Sequence, residues 1–211
     1  MRILGLDEAG RGSVLGPLVV GAFCYEGEPV DAGALDPLAA LGAADSKTLT
    51  PARRRAARSR LAQVGVERWV TIPATRIDEG NVNTLEEEAF LTLVAALAPD
   101  RVYLDAPVHP AGIPRLRDRL ITRSGVRDWV VENKADGRWP VVGAASLVAK
   151  TERDDAIDRL TEVLGPIGSG YPSDPATRAR LTEWLRTDAP LPDCVRTRWG
   201  TLQVLRQQGL W

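Results

Sequence analysis

The feature that most constrains this chain is a short apolar run that ends in acid and then in glycine. Ile3, Leu4 and Leu6 lead into Asp7-Glu8-Ala9-Gly10-Arg11-Gly12, and the stretch continues to Gly16-Pro17. Such a run reads as a buried strand of few residues, residues 2–6. Adjacent side chains of a regular strand point to opposite faces, so Asp7 and Glu8 can share a site only where the strand ends or bends. Gly10 and Gly12 allow that bend and let backbone N–H groups approach a ligand closely. Acids beside bare backbone donors suit a metal ion next to an anionic, hydroxyl-bearing substrate. Taken alone, the same residues also fit an ordinary surface turn.

The residue inventory removes several chemistries. His109 is the sole histidine, set between Val108 and Pro110 in a loop. Paired-histidine acid–base catalysis and a Cys/His zinc site of the usual kind are therefore excluded. A Ser-His-Asp triad could draw only on His109, and no nucleophile-elbow motif accompanies it; His109 reads as a surface loop residue. Cys24 and Cys194 are the only cysteines and lie far apart, which argues against a disulfide framework and for a reducing cytoplasm. No apolar run reaches the length of a membrane span, and the first residues lack a signal-peptide pattern. The formal net charge of −1 does not advertise nucleic acid, although local clusters can still bind it. Carboxylates with hard metal ions remain as the route to hydrolysis.

Of 27 basic residues only Lys47, Lys134 and Lys150 are lysine. A compact ammonium is not interchangeable with a guanidinium fork. Each lysine stands near a polar or acidic cluster, in Asp45-Ser46-Lys47, Asn133-Lys134-Ala135-Asp136 and Ala149-Lys150, so these stretches become site candidates.

Along the chain, residues 16–25 form a second apolar run, read as a neighbouring strand. Thr50 as N-cap with Pro51 at the first helical position predicts a helix to about Val64. Its Arg53, Arg54, Arg55, Arg58 and Arg60 fit a solvated face. A strand is expected over 67–72. Thr84 with Glu87 matches a capping box and opens a helix over 85–97. Residues 102–105 read as a short strand ending in Asp105, residues 113–121 as a helix, and 129–131 as a strand whose exit loop carries Asp136. A long helix is expected over 142–164; its small first residues permit close packing on a sheet, and Ser146, Lys150 and Asp154 share one face. Gly165-Pro166 breaks it, Asp174 and Pro175 start another helix, and residues 199–207 look helical. Strands and helices alternate as in an α/β sheet whose strand ends gather acids. Four acids holding two hard cations roughly 4 Å apart is an arrangement suited to phosphodiester hydrolysis, and Mg²⁺ fits because it takes oxygen ligands and keeps waters.

Seven stretches, in order, resemble the type 2 ribonucleases H (ribonuclease HII), in the archaeal and eukaryotic form. They are Asp7-Glu8-Ala9-Gly10-Arg11-Gly12 with Gly16-Pro17, Asp45-Ser46-Lys47, Asn81-Val82-Asn83, Tyr103-Leu104-Asp105, Lys134-Ala135-Asp136, residues 144–150 with Arg153-Asp154, and residues 168–174. The resemblance implies an α/β, ribonuclease H-like mixed five-stranded sheet flanked by helices, with residues 1–164 as catalytic core and 165–211 as a helical C-terminal extension packed on it. It implies hydrolysis of the RNA strand of RNA–DNA hybrids and incision 5′ of ribonucleotides embedded in duplex DNA, giving 5′-phosphate and 3′-hydroxyl ends. Carried over residue by residue, Asp7, Glu8, Asp105 and Asp136 would hold two ions, Mg²⁺ or Mn²⁺, with Asp7 as the bridge. Gly10, Arg11 and Gly12 would read the ribose 2′-OH, and Tyr171 would stack on the neighbouring deoxyribose. Lys47, Asn81, Ser146 and Lys150 would contact phosphates or support the acids. A cytoplasmic monomer is expected.

Three departures accompany the resemblance. Ser13 stands where proline is common, Gly143 where serine is usual, and Arg198 where a small residue is expected. The end, Gln207-Gln208-Gly209-Leu210-Trp211, lacks the paired aromatics of a sliding-clamp peptide, which argues against that partner. The rival readings are a resolvase- or transposase-type nuclease, which needs no Gly-Arg-Gly and junction tyrosine, and a non-catalytic hybrid-binding module. A nucleotide-binding protein lacks support, because neither the P-loop lysine pattern nor the Rossmann spacing is present.

Overall fold

A computed structural model describes residues 1–28, 37–43, 49–187 and 189–208. One sheet contains β1 (Arg2–Ala9), β2 (Leu18–Glu26), β3 (Val66–Ile72), β4 (Arg101–Asp105) and β5 (Asp128–Glu132), in the spatial order β3-β2-β1-β4-β5. The helices are α1 (Pro51–Leu61), α2 (Ala74–Glu79), α3 (Val82–Leu97), α4 (Ile113–Ser124), α5 (Pro140–Leu164), α6 (Pro175–Leu185) and α7 (Gly200–Gln208). The expected fold, a mixed five-stranded sheet with flanking helices, is the one observed.

β1 is the central strand, and Ile3, Leu4 and Leu6 on it are all buried. It pairs in parallel with β4 from Ile3↔Arg101 to Leu6↔Leu104, and β4 pairs in parallel with β5 from Arg101↔Asp128 to Asp105↔Glu132. Parallel strands need crossover connections and have both faces covered, hence their unbroken apolar runs. The start of α5 packs directly on β1: a Cβ at Gly5 would collide with the Val141 carbonyl. The small-residue start of that helix therefore does what its composition suggested. A side chain at Gly143 would meet the Ala43 carbonyl, so the serine expected there has no room in this chain.

Two compact units are distinguished along the chain. One comprises Met1–Ala9, Val20–Val70 and Glu86–Thr151, the other Gly10–Val19, Thr71–Leu85 and Glu152–Trp211. Ile3, Phe23, Leu61, Tyr103, Val142 and Leu147 build the core of the first. Val14, Leu15, Ile157, Ile167, Leu181 and Val195 build that of the second.

Two element boundaries differ from the sequence expectation. β1 runs on to Ala9, so Asp7 and Glu8 stand on the strand rather than beyond it. α3 begins at Val82, not Leu85, because the Asn81 side chain accepts from the N–H groups of Asn83 (2.9 Å) and Thr84 (3.3 Å). The capping box from Thr84 to Glu87 is thereby displaced, and Glu87 instead binds Arg119 (2.8 Å) and Arg123 (2.9 Å) of α4. The short helix α2, entered through Pro73, was not anticipated. Thr50 and Asp174 cap α1 and α6 as expected, accepting from Arg53 N–H and Ala176 N–H. Among the described residues no helix is long and apolar enough to cross a membrane.

Candidate functional site

The β1–β4 register places Asp7 and Asp105 one step past the Leu6↔Leu104 pair, at the same end of neighbouring strands. Asp136 arrives from the exit of β5, on a single 3-10 turn, Ala135–Gly137, entered through Lys134 in the left-handed region (φ 60°). Side chains tie these segments together. Asn133 Nδ2 donates to the Ala106 and Val108 carbonyls, both at 2.8 Å, and the Ala135 N–H donates to Asp105 Oδ1 at 3.2 Å. Oxygens of Asp7, Asp105 and Asp136 consequently lie within 4.8 Å of one another. Glu8, the fourth predicted acid, is half-buried on the next position of β1 and is not one of this trio.

Burial, with the Asp105 charge adding to it, pushes the Asp7 carboxyl up to about 7. The Ser146 hydroxyl, the Glu8 N–H (2.8 Å to Oδ1) and the Lys150 ammonium oppose that rise. Of the three α5 residues named from a shared helix face, two thus act on Asp7, Ser146 by hydrogen bond and Lys150 by charge. Three close carboxylates with oxygen donors only form a set that suits a hard divalent cation. The raised pKa supports that fit, because the carboxylate charge is not balanced by the protein alone.

The glycine loop sits in the second unit. Gly10 adopts φ 86°, and its N–H donates to the Tyr171 hydroxyl at 3.2 Å. A side chain there would strike Arg153 and the Pro17 carbonyl, so both the backbone angle and the space require glycine. Arg153 lies over the Tyr171 ring at 4.6 Å and donates to the Ser169 carbonyl at 2.9 Å. The turn that carries Tyr171 is locked from α6: Asp174 accepts from the Ser169 N–H, and Thr177 Oγ1 accepts from the Gly170 N–H at 2.9 Å while donating to the Ile167 carbonyl. The Ser169 N–H and hydroxyl, with the Ala176 N–H and the Thr177 hydroxyl, hold the Asp174 carboxyl down at about 2. Gly12 is exposed at the loop tip, and Arg11 reaches Asn83 Oδ1 at 2.5 Å.

Asn81 serves as the cap of α3, and its neighbour Asn83 is the residue that meets Arg11. Lys47 and the rest of Asp45-Ser46-Lys47 lie outside the described residues, as do Gly209, Leu210 and Trp211 of the clamp-peptide argument. His109 is exposed, and its Nδ1 accepts from the Ala111 N–H. Sequence reasoning missed Arg196, which is buried under the Gly10–Gly16 loop. No local signal marks it: Arg196 stands two residues before Arg198, ahead of the segment 199–207 read as helical, and far from its partners in sequence.

Against known proteins, residues 4–202 match the family model described as Ribonuclease HII. A curated ribonuclease HII from Archaeoglobus fulgidus is 37% identical over 98% of this chain and 97% of its own. The structure titled as the PCNA:RNase HII complex from Archaeoglobus fulgidus superposes with a TM-score of 0.86 at 36% identity, covering 99% of this chain and 98% of that one. The ribonuclease H2 of Pyrococcus horikoshii OT3 also gives 0.86, at 33% identity and the same coverage. With acids gathered at parallel strand ends and a match of this length and depth, the chain belongs to the ribonuclease HII family and is an endonuclease that hydrolyses phosphodiester bonds.

Proposed function

We propose that the chain hydrolyses the RNA strand of RNA–DNA hybrids and incises duplex DNA 5′ of embedded ribonucleotides, leaving 5′-phosphate and 3′-hydroxyl ends. The observation that carries this reading is the trio Asp7, Asp105 and Asp136, with oxygens within 4.8 Å of one another and one carboxyl pushed up to about 7. In this reading Asp7, Glu8, Asp105 and Asp136 would hold two divalent ions, Mg²⁺ or Mn²⁺. Bound there, the ions would acidify an attacking water and stabilise charge on the leaving oxygen. Ser146 and Lys150 orient Asp7 and favour its ionised form.

Substrate choice falls to the second unit. Gly10, Arg11 and Gly12 take the ribose 2′-OH through backbone contacts, and that hydroxyl is what separates RNA from DNA at a given position. Tyr171, held by Gly10 and Arg153, stacks on the adjoining deoxyribose and marks the junction. Lys47 and Asn81 contribute phosphate contacts. The deciding experiment is cleavage of labelled duplexes with zero, one or four consecutive ribonucleotides, in Mg²⁺ and in chelator. Metal-dependent incision 5′ of the single ribonucleotide is expected. Cleavage of the four-ribonucleotide tract alone would remove the junction assignment, and no cleavage with hybrid binding intact would remove the catalytic one. The relative solved with PCNA supports testing a clamp partner as well, by pull-down of the full chain.

A further inference from the structure

Arg196 brings a charge into the interior and meets carbonyls there. It is 0% exposed. Nη2 donates to the Gly10 carbonyl at 2.7 Å and to the Gly16 carbonyl at 3.1 Å, Nη1 to the Arg11 carbonyl at 2.9 Å, and Nε to the Gly16 carbonyl at 3.2 Å. Its guanidinium also lies 5.1 Å from the Trp199 ring centroid. Ser13 adds two donors to the same Gly10 oxygen, its hydroxyl at 2.8 Å and its N–H at 3.2 Å. A buried guanidinium is costly unless its N–H groups are satisfied, so this one is fixed in place by the loop it holds. The segment behind it is pinned too, with Asp78 accepting from the Thr197 N–H and hydroxyl, both at 2.6 Å.

The consequence follows from peptide geometry. A trans peptide unit points its C=O and its N–H in opposite directions, and no cis bond occurs among the described residues. The carbonyls of Gly10 and Arg11 face Arg196, so the N–H groups of Arg11 and Gly12, on those same peptide units, face away from it. We propose that Arg196, assisted by Ser13, is a positioning residue that aims the Arg11 and Gly12 N–H groups at the ribose 2′-OH and thereby sets discrimination between ribonucleotide and deoxyribonucleotide. This rests on the role given above to residues 10–12. Lysine cannot substitute, because a compact ammonium lacks the planar fork that spans three carbonyls. Tying both ends of the loop, Gly10 and Gly16, to one rigid group also removes loop freedom before substrate arrives.

The test measures binding of the full chain in an Asp7→Asn background, with two fluorescent duplexes: one all-DNA, the other carrying a single ribonucleotide. The parent should prefer the ribonucleotide duplex; if it shows no preference, the assignment of residues 10–12 fails, and the present inference with it. Given a preference, R196K should reduce it about tenfold by weakening only the ribonucleotide complex, as expected for loss of charge-assisted hydrogen bonds. Equal weakening of both duplexes would mark Arg196 as merely structural and overturn the inference. An unchanged preference would overturn it as well. Should R196K fail to fold, S13A carries the test, with a preference reduced about threefold expected from loss of one neutral donor and an unchanged preference refuting the inference.

Discussion

Asp7→Asn should abolish turnover and yet stabilise the metal-free protein at pH 8. The Asp7 carboxyl has an ordinary value of 3.8 and is pushed to about 7, by burial first and then by the Asp105 charge, against hydrogen bonds from Ser146 and the Glu8 N–H. A folded-state pKa above the unfolded one means stability that is whole below about pH 4 and declines as pH rises through about 7. The rise from 3.8 to about 7 sets a ceiling of about 4 kcal/mol on the cost of ionising Asp7 in the absence of metal. Asparagine keeps an acceptor for the Glu8 N–H and asks Ser146 to turn its hydroxyl, so about 1–2 kcal/mol should survive as net gain. In a chain of this length that is a melting temperature higher by about 2–8 °C. Thermal unfolding in chelator at pH 8 and again near pH 4 measures it, and the gap should close on the acid side. Added Mg²⁺ should reverse the order, since ligand binding to the folded state stabilises only the protein that can hold it. If Asp7→Asn is no more stable than the parent at pH 8 in chelator, the carboxyl is not held at a cost, and the argument for a charge-deficient metal site fails.

Further outcomes follow from other contacts. Asp174→Ala should cost about 1 kcal/mol as a lost helix cap and, by freeing the Ser169 N–H, should weaken binding of a single-ribonucleotide duplex while leaving Mn²⁺ affinity by titration calorimetry unchanged. Glu87→Gln should destabilise by about 1–2 kcal/mol, discounted because its arginine partners are half exposed, with cleavage unaffected. Burial alone would raise the Glu87 pKa, but Arg119 and Arg123 outweigh it and hold it below the usual value, so chemical denaturation should show this contribution present near neutrality and fading as pH falls through the lowered value. A chain of net charge −1 should show a shallow salt dependence of duplex binding, with a log–log slope smaller in magnitude than about 5, and a slope near −10 would contradict it.

The features legible in the sequence were those set locally. Thr50-Pro51 and Asp174-Pro175 start helices because a side-chain acceptor and a missing N–H act within one turn, wherever the helix then packs. Asp7 and Asp105 could be read as neighbours because each ends a short apolar run, although β1 itself continues to Ala9. Where a local rule met a distant partner, the partner won. Glu87 fits a capping box by spacing, but two arginines about thirty residues on outbid a single backbone N–H. Arg196 is the extreme case, its carbonyl partners lying 180 to 186 residues away. No spacing within the tail could reveal it.

That contact also changes what the arginine-rich composition means. The surplus of arginine over lysine looks like a surface prepared for phosphates, and most of it is exposed, but a few arginines bind oxygens of the protein itself. Arg58 grips Glu67 at 2.7 Å, Arg153 supports the turn of Tyr171, and Arg196 gathers the glycine loop. Each of these jobs needs several N–H groups in a plane, aimed at carbonyl or carboxylate oxygens, which a lysine cannot supply. Conversely, Lys150 acts on Asp7 as a charge, and a compact ammonium is enough for that. The net charge of −1 therefore bears on how steeply duplex binding depends on salt, and not on which sugar is chosen. Arginines committed to carbonyls count in the sum but shape the backbone that a substrate would meet. Arg196 acts on recognition through the peptide dipoles of Gly10 and Arg11, and its effect should show in which sugar is chosen rather than in how tightly duplexes bind at large.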